Sequence, residues 1–179
     1  MKHSQSTITT MKIYFGELNH TPYGDLCYAA SNQGLVAIEW AESRPKLEAY
    51  LLKFKAAVEP NQKTTRTYRN ELAEYLNGKR RDFTFIIDWS TLKPFQQKVL
   101  KAVYAIPYGE TRTYAEVAML IGHPNASRAV GHANATNPMP LVIPCHRIIG
   151  KDGKLRGYGG GDGLPTKERL LRMEGVAIA

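Results

Sequence analysis

Cysteine is nearly absent from this chain: 179 residues hold only Cys27 and Cys145. Two thiols so far apart make no disulfide framework, and no Cys-x-x-Cys spacing offers a zinc or redox site. A reduced, cytoplasmic protein is expected. His3, His20 and Cys27 match no metal-ligand spacing, so no metal is expected. Long apolar runs are missing too. No segment approaches the roughly 18 apolar residues of a membrane helix, and residues 1–10 are polar, without the apolar stretch of a signal peptide; they read as a flexible tail. Repeats and low-complexity segments are absent. Acidic residues are in short supply, 16 against 24 Lys and Arg, for a net charge of +8 and a pI near 9.5. That balance favours a polyanionic partner, nucleic acid first, although a merely solvated basic surface has the same composition. With 43% hydrophobic residues the chain can bury a core as one large domain or two small ones.

The first half reads as mixed strands and helices. Residues 12–18 alternate, and 26–30 and 35–40 are short apolar runs. Pro22-Tyr23-Gly24-Asp25 and Ser31-Asn32-Gln33-Gly34 between them are turns, which predicts an antiparallel meander. A helix follows with Pro45 in its first turn and Leu47, Tyr50, Leu51 and Phe54 on one face. A second carries Tyr68, Leu72, Tyr75 and Leu76 and stops at Asn77-Gly78. Residues 82–89 alternate again and predict a strand; Lys79-Arg80-Arg81 reads as a solvated run. Residues 90–93 form a linker between an α/β unit (11–89) and a mostly helical unit (94–179).

In the second unit, Phe95, Val99, Leu100, Val103 and Tyr104 share a helix face. Thr113 and Glu116 have capping-box spacing and open a short helix that Gly122-His123-Pro124-Asn125 breaks. Another runs from Ala126 to about Ala135 and is expected to bury Ala126, Ala129, Val130 and Ala133. Two short helices about a glycine-containing break predict a helix-turn-helix. Arg128 lies off the buried stripe, free to meet a partner. Ser127, Lys98, Lys101 and Arg112 are further candidates for phosphate contacts. A last helix runs from about Pro165 to Glu174, with Gly175 past its end.

The chemistry concentrates at Ile143-Pro144-Cys145-His146-Arg147, expected at the end of a short strand. A neutral thiol is a poor nucleophile, and a neighbouring base or cation favours the thiolate. Cys145 beside His146 and Arg147 therefore reads as an activated sulfur, whereas Cys27, without such company, reads as core. Neighbours on a strand face opposite ways, so His146 activates Cys145 directly only where the backbone leaves strand geometry, and otherwise through a water. A third group should orient the imidazole; Glu168 and Glu174 are both candidates. The glycine loop at 157–161 lacks the Lys-Ser/Thr ending of a phosphate loop, and no cofactor is expected.

Together these residues resemble the O6-alkylguanine-DNA alkyltransferases. Ile143-Pro144-Cys145-His146-Arg147 is similar to that family's active-site motif. Residues 106–114 resemble the entry to its helix-turn-helix, Ser127-Arg128-Ala129-Val130-Gly131 its recognition helix, Asn137-Pro138 its hinge, and Gly157-Tyr158 with Gly160 its substrate lid. The resemblance covers residues 94–175 in order. It implies an α+β fold: an N-terminal ribonuclease H-like, strand-rich domain and a C-terminal winged-helix-like domain with the helix-turn-helix. It implies a monomer that binds double-stranded DNA through the minor groove, with contacts from Thr113, Tyr114, Ser127, Arg128 and Ala129. O6-alkylguanine (chiefly O6-methylguanine, with O4-methylthymine a second substrate) is flipped out of the stack, Arg128 filling the gap. Tyr114 rotates the 3′ phosphate and donates a proton toward the leaving guanine. Cys145 takes the alkyl group irreversibly, once per molecule. A relay of Glu174, His146, a water and Cys145 is implied, with Asn137 bridging the helix-turn-helix and the active-site segment. Pro140, Ile148, Tyr158, Gly159 and Gly160 make the pocket, and the carbonyls of Cys145 and Ile148 read the guanine amino group.

Two departures stand out. Gly159 occupies a place where many relatives have a small hydroxyl residue, and Asp162-Gly163 lengthens the loop before the last helix. Three rivals carry different chemistry: an alkylated-DNA-binding protein that accepts no group, a helix-turn-helix regulator with an incidental cysteine, and a turnover hydrolase using Cys145 and His146. A longer regulator of the same kind would need extra domains.

Overall fold

The computed structural model describes residues 11–178; the tail expected over 1–10, His3 included, lies outside the described residues. Strands β1 (Lys12–Leu18), β2 (Leu26–Ser31) and β3 (Gly34–Trp40) form the expected antiparallel meander. β2 and β3 are buried along their whole length, which is why they read as apolar runs rather than alternations. Gly34 turns into β3 at φ 139°, where a Cβ would strike the Ile86 backbone. Helix α1 (Arg44–Leu51) covers one face through Leu47 and Leu51, against Ile13, Phe15, Cys27 and Ala29. Later in the chain, α2 (Arg66–Leu76) covers the other face through Leu72, Tyr75 and Leu76, against Leu26, Tyr28 and Leu35. Between the helices, β4 (Ala57–Pro60) pairs parallel to β1 at the sheet edge. All four β4 residues are exposed, so it leaves no hydrophobic period to read, and an edge tolerates Pro60.

Residues 82–89 do not form the expected strand. They make one parallel bridge, Leu35 with Ile87, beside β3. The alternation is real, since Phe83 stacks on Tyr75 and Phe85 on Tyr68. The ladder stops because the Asp88 carboxylate accepts from the Ser31 hydroxyl at 2.5 Å and from Ser90, turning the chain into a 3-10 turn at Trp89–Thr91. Arg80 is also not simply solvated: it pairs with Glu74 at 2.7 Å and Glu71 at 3.4 Å.

Helices α3 (Pro94–Tyr104), α4 (Tyr114–Leu120), α5 (Ser127–Ala135) and α6 (Leu164–Met173) build the second half, with β5 (Arg112–Thr113) pairing parallel to β6 (Ile148–Ile149). Val99, Leu100 and Val103 are the buried face of α3, while Phe95 and Tyr104 stay more than a third exposed. One hydrophobic cluster runs through both halves, from Tyr28, Trp40 and Tyr75 to Val99, Val130 and Leu170.

The strand expected before Cys145 is absent. Leu141 adopts a left-handed φ of 72°, and the Ile143 and Cys145 amides donate back to Met139 and Ile143. Cys145–Arg147 is a single 3-10 turn, and β6 begins only at Ile148. Pro138, Pro140 and Pro144 lack an N–H, so no ladder can run through this stretch.

Candidate active site

The helix-turn-helix is built by local chemistry. The Thr113 hydroxyl accepts from the Glu116 amide at 3.2 Å, and the Glu116 carboxylate accepts from the Thr113 amide at 2.6 Å. This reciprocal pair satisfies two amides at the start of α4. Gly122, at φ 74°, ends the helix: its amide donates to the Met119 carbonyl, and the following His123 amide donates to the Ala118 carbonyl. Helix α5 then buries Val130, Ala133 and Asn134. The expected buried stripe needs correcting, because Ala129 is exposed beside Arg128 and Ala126 is half-buried; the polar Asn134 takes the inner place. Arg128 makes no ion pair among the described residues, and Lys98 is exposed. Arg112 is tied to Glu110 at 2.9 Å, and the Lys101 ammonium lies over the Trp89 ring at 5.5 Å.

Behind this surface lies the thiol. Cys145 is 6% exposed and opens on a cavity of about 360 Å³ walled by Tyr114, Gly131, Asn134, Ala135, Gly157, Tyr158 and Gly159. The first residue of α4, the inner side of α5, the 3-10 turn and the glycine loop all converge on the sulfur. Thr113, Tyr114 and Ser127 also border an adjoining hollow with Lys151 and Arg156. Asn137 braces the turn, its amide group donating to the Ile143 carbonyl at 2.9 Å while its oxygen accepts from the Met139 amide at 3.0 Å. The Cys145 carbonyl accepts from Asn134 at 3.3 Å. Pro140, Ile148 and Gly160, all buried, do not line the cavity. Ile148 offers its carbonyl to Lys167 Nζ at 2.5 Å. Gly160 packs so closely on Trp40 that a Cβ there would enter the indole ring, whereas one at Gly159 would meet nothing within 4 Å among the described residues.

The sulfur at rest is less activated than its neighbours suggest. Burial pushes the Cys145 thiol up, with Asn137 and the Lys167 charge pulling the other way. Arg147 turns away from it. Arg147 Nε and Nη2 donate to the Glu174 carboxylate at 2.8 and 2.9 Å, and Nη1 donates to the Ile106 carbonyl at 2.6 Å. His146, fully buried, shares Glu174 Oε1 through Nε2 at 2.9 Å. Glu168 lies on the outer side of α6 and pairs with Arg172 at 2.8 Å, so of the two carboxylates only Glu174 meets the imidazole. Burial raises the Glu174 carboxyl, but hydrogen bonds from His146 and Arg147 outweigh it and bring it to about 2. Burial lowers His146, which keeps the ring neutral at pH 7. With its proton on Nε2 facing the carboxylate, Nδ1 is left as an acceptor with no partner among the described residues. A neutral base and a neutral thiol are thus carried on one turn with no direct hydrogen bond between them among the described residues, so a proton can pass from one to the other only through a bridging group such as water.

Asn134, Lys167 and Tyr75 complete this site without standing out in the sequence as functional residues. Asn134 follows Val130 by one helical turn. Lys167 is in register with Leu170, Leu171 and Glu174, a spacing that already marks an inner position. The Lys167 ammonium, brought down to about 8 by burial, bonds the carbonyls of Ile148 and Arg156. Tyr75 read as core; its hydroxyl donates to Glu174 Oε1 at 2.6 Å, a contact that joins residues 99 positions apart and leaves no trace in sequence spacing.

Comparison with known proteins agrees with this geometry. Residues 94–176 match the family model described as the 6-O-methylguanine DNA methyltransferase DNA binding domain, and residues 13–89 match that of the ribonuclease-like domain of the same enzymes. A methylated-DNA–protein-cysteine methyltransferase of Methanosarcina barkeri is 40% identical over 162 residues, which cover 88% of this chain and 95% of that protein. One of Salmonella typhimurium is 39% identical over 163 residues, covering 88% and 94%. The crystal structure of Mycobacterium tuberculosis OGT in complex with DNA superposes with a TM-score of 0.73 at 37% identity, over 90% of this chain and 92% of that one.

Proposed function

The chain belongs to the 6-O-methylguanine DNA methyltransferase family, and on that footing we propose that Cys145 takes an alkyl group directly from O6-alkylguanine in duplex DNA and keeps it. One observation carries this reading: the cavity on which the buried thiol opens is walled by the helix-turn-helix itself, through Tyr114, Gly131, Asn134 and Ala135. A base turned out of a duplex lying on α5 has its O6 side brought to the sulfur.

The steps follow from the residues present. Arg128, exposed and unpaired among the described residues, enters the stack as the base leaves it, with Ser127, Ala129, Thr113 and Tyr114 against the backbone. The Cys145 proton passes through a water to His146 Nδ1, and Glu174 holds the resulting imidazolium. The thiolate attacks the alkyl carbon in line, forming the S–C bond as the C–O6 bond breaks. The electron pair goes to guanine, which takes a proton from Tyr114, a phenol that burial keeps protonated. The thioether is not an acceptor, so each molecule reacts once. O6-methylguanine is the chief substrate and O4-methylthymine a second. Residues 11–89 supply the sheet that buttresses the site, 90–93 link, and 94–179 carry the DNA contacts and the acceptor. A monomer acting in the cytoplasm, on the nucleoid in a bacterium, fits the charge and the mechanism.

The test is stoichiometry. Mixed with excess duplex carrying O6-methylguanine, the protein should gain one methyl on the Cys145 peptide by mass spectrometry and then stop. Tight binding with an unmodified peptide would favour a non-enzymatic binder, and continued turnover on an ester or amide a hydrolase. A second expectation concerns flipping: Arg128→Ala should slow repair of duplex at least about tenfold, while reaction with a free O6-alkylguanine base, which needs no flipping, changes far less. Equal losses on both substrates would remove Arg128 from the flipping step.

A further inference from the structure

The N-terminal half does more than buttress. We propose that Tyr75 is a positioning residue of the alkyl transfer, locking the Glu174–His146 pair in the one tautomer and orientation that leaves Nδ1 free to receive the thiol proton. This rests on the function proposed above and assigns a part of that reaction to the sheet-bearing half of the chain.

The geometry is specific. Tyr75 is fully buried on α2, its ring held by Phe83 at 5.3 Å and by Tyr108, edge-on, at 6.4 Å. Its hydroxyl lies 2.6 Å from Glu174 Oε1 and 3.3 Å from His146 Nε2. A phenol has one proton, and the carboxylate, ionised at any ordinary pH, receives it. The phenol oxygen is then an acceptor only, and so is Oε1. Nε2 therefore faces two acceptors and must carry the ring proton, which fixes Nδ1 as the base. The same two oxygens flank the Nε2–H after Nδ1 has been protonated, so the imidazolium needs no rearrangement. A Tyr75 ionised in place of the carboxylate would undo this, but burial, with the Glu174 charge, holds the phenol far above its ordinary range.

Removing the hydroxyl has a directional consequence. Oε1 accepts from Tyr75, His146 and Arg147. Losing the shortest of these donors concentrates negative charge on the oxygen that faces Nε2, and the ring then holds a proton at Nδ1 to higher pH. A ring already protonated cannot receive the thiol proton. The other charged or titratable groups around His146 are Arg147 and Cys145 on its own turn, Lys167 on α6 and Glu174 just past its end, and Tyr158 on the glycine loop; Tyr108 lies behind Tyr75. A Tyr75→Phe change leaves all of them in place.

The experiment is single-turnover methyl transfer from an O6-methylguanine duplex, timed across pH 5 to 9 for the parent and for Tyr75→Phe, with duplex affinity and thermal midpoint measured alongside. Expected is transfer about tenfold slower at neutral pH, an acid limb displaced upward by about one unit, and unchanged duplex affinity. Identical rates and profiles overturn the proposal. So does a uniform slowing at every pH accompanied by a lowered thermal midpoint, which is what mere packing loss would produce. Nitrogen-15 NMR of the His146 ring in the parent protein needs no variant: it should show the Nε2–H tautomer at neutral pH, and an Nδ1–H ring would sink the assignment. A parent protein that accepts no methyl at all would instead defeat the function on which this rests.

Discussion

Cys145→Ser should abolish methyl transfer while leaving affinity for duplex DNA within about twofold of the parent. The loss is complete because a hydroxyl ionises far less readily than a thiol. The thiol itself is pushed up by burial, so a serine there has no route to a competent anion. Binding should survive because Cys145 is 6% exposed on a cavity that Ser127 and Arg128, the α5 residues proposed to meet DNA, do not line. Intact-mass measurement after incubation with O6-methylguanine duplex, together with a fluorescence anisotropy titration, checks both halves. A serine variant that still gains a methyl would move the acceptor elsewhere, and Cys27 is a poor alternative: it is buried in the sheet and raised to about 11 by burial and the Glu39 charge.

Glu174→Gln should lower stability by about 3 kcal/mol at neutral pH and slow transfer by at least about a hundredfold. The carboxylate is 5% exposed and is the counter-charge of the buried Arg147, so its neutralisation strands a guanidinium in the interior. The pH dependence gives a separate reading. The folded carboxyl sits at about 2 against an ordinary 4.5. Its contribution is therefore fully present above pH 4.5, declines below it, and is gone once the pH has fallen through 2. Urea midpoints of the parent should drop over that range, and those of Glu174→Gln should drop much less. Parallel curves for the two proteins would mean that another acid controls unfolding at low pH. Transfer suffers because the glutamine offers His146 a neutral oxygen, which holds an imidazolium far less well than a carboxylate does.

Much of the site is legible along the chain because it is local. The capping box needs only Thr113 and Glu116 three residues apart, and the break at Gly122 needs only a residue that tolerates φ 74°. Cys145, His146 and Arg147 are adjacent. Local reading also misled. Three prolines between 138 and 144 deny the backbone a ladder, so what precedes Cys145 is a turn and not a strand. Adjacency suggested that Arg147 acts on the thiol, yet its guanidinium is spent on Glu174 and Ile106. Residues 82–89 alternate as a strand does, but alternation reports which side chains are buried and not whether a neighbour is present to complete the hydrogen bonds.

What the sequence by itself determined is the chemistry available: one candidate thiol beside an imidazole, a helix-turn-helix with an outward arginine, and an excess of positive charge. Each follows from residue type, spacing over one or two turns, or a sum over the chain. Only the tertiary structure decided how that chemistry is wired. It brought Glu174 rather than Glu168 to His146, buried the Lys167 ammonium close enough to Cys145 for its charge to act on the thiol, and carried the Tyr75 hydroxyl from α2 to a carboxylate 99 residues away. The physical reason is that burial and long-range hydrogen bonding set where each proton sits. Both are properties of how the elements pack, and no run of neighbouring residues encodes them.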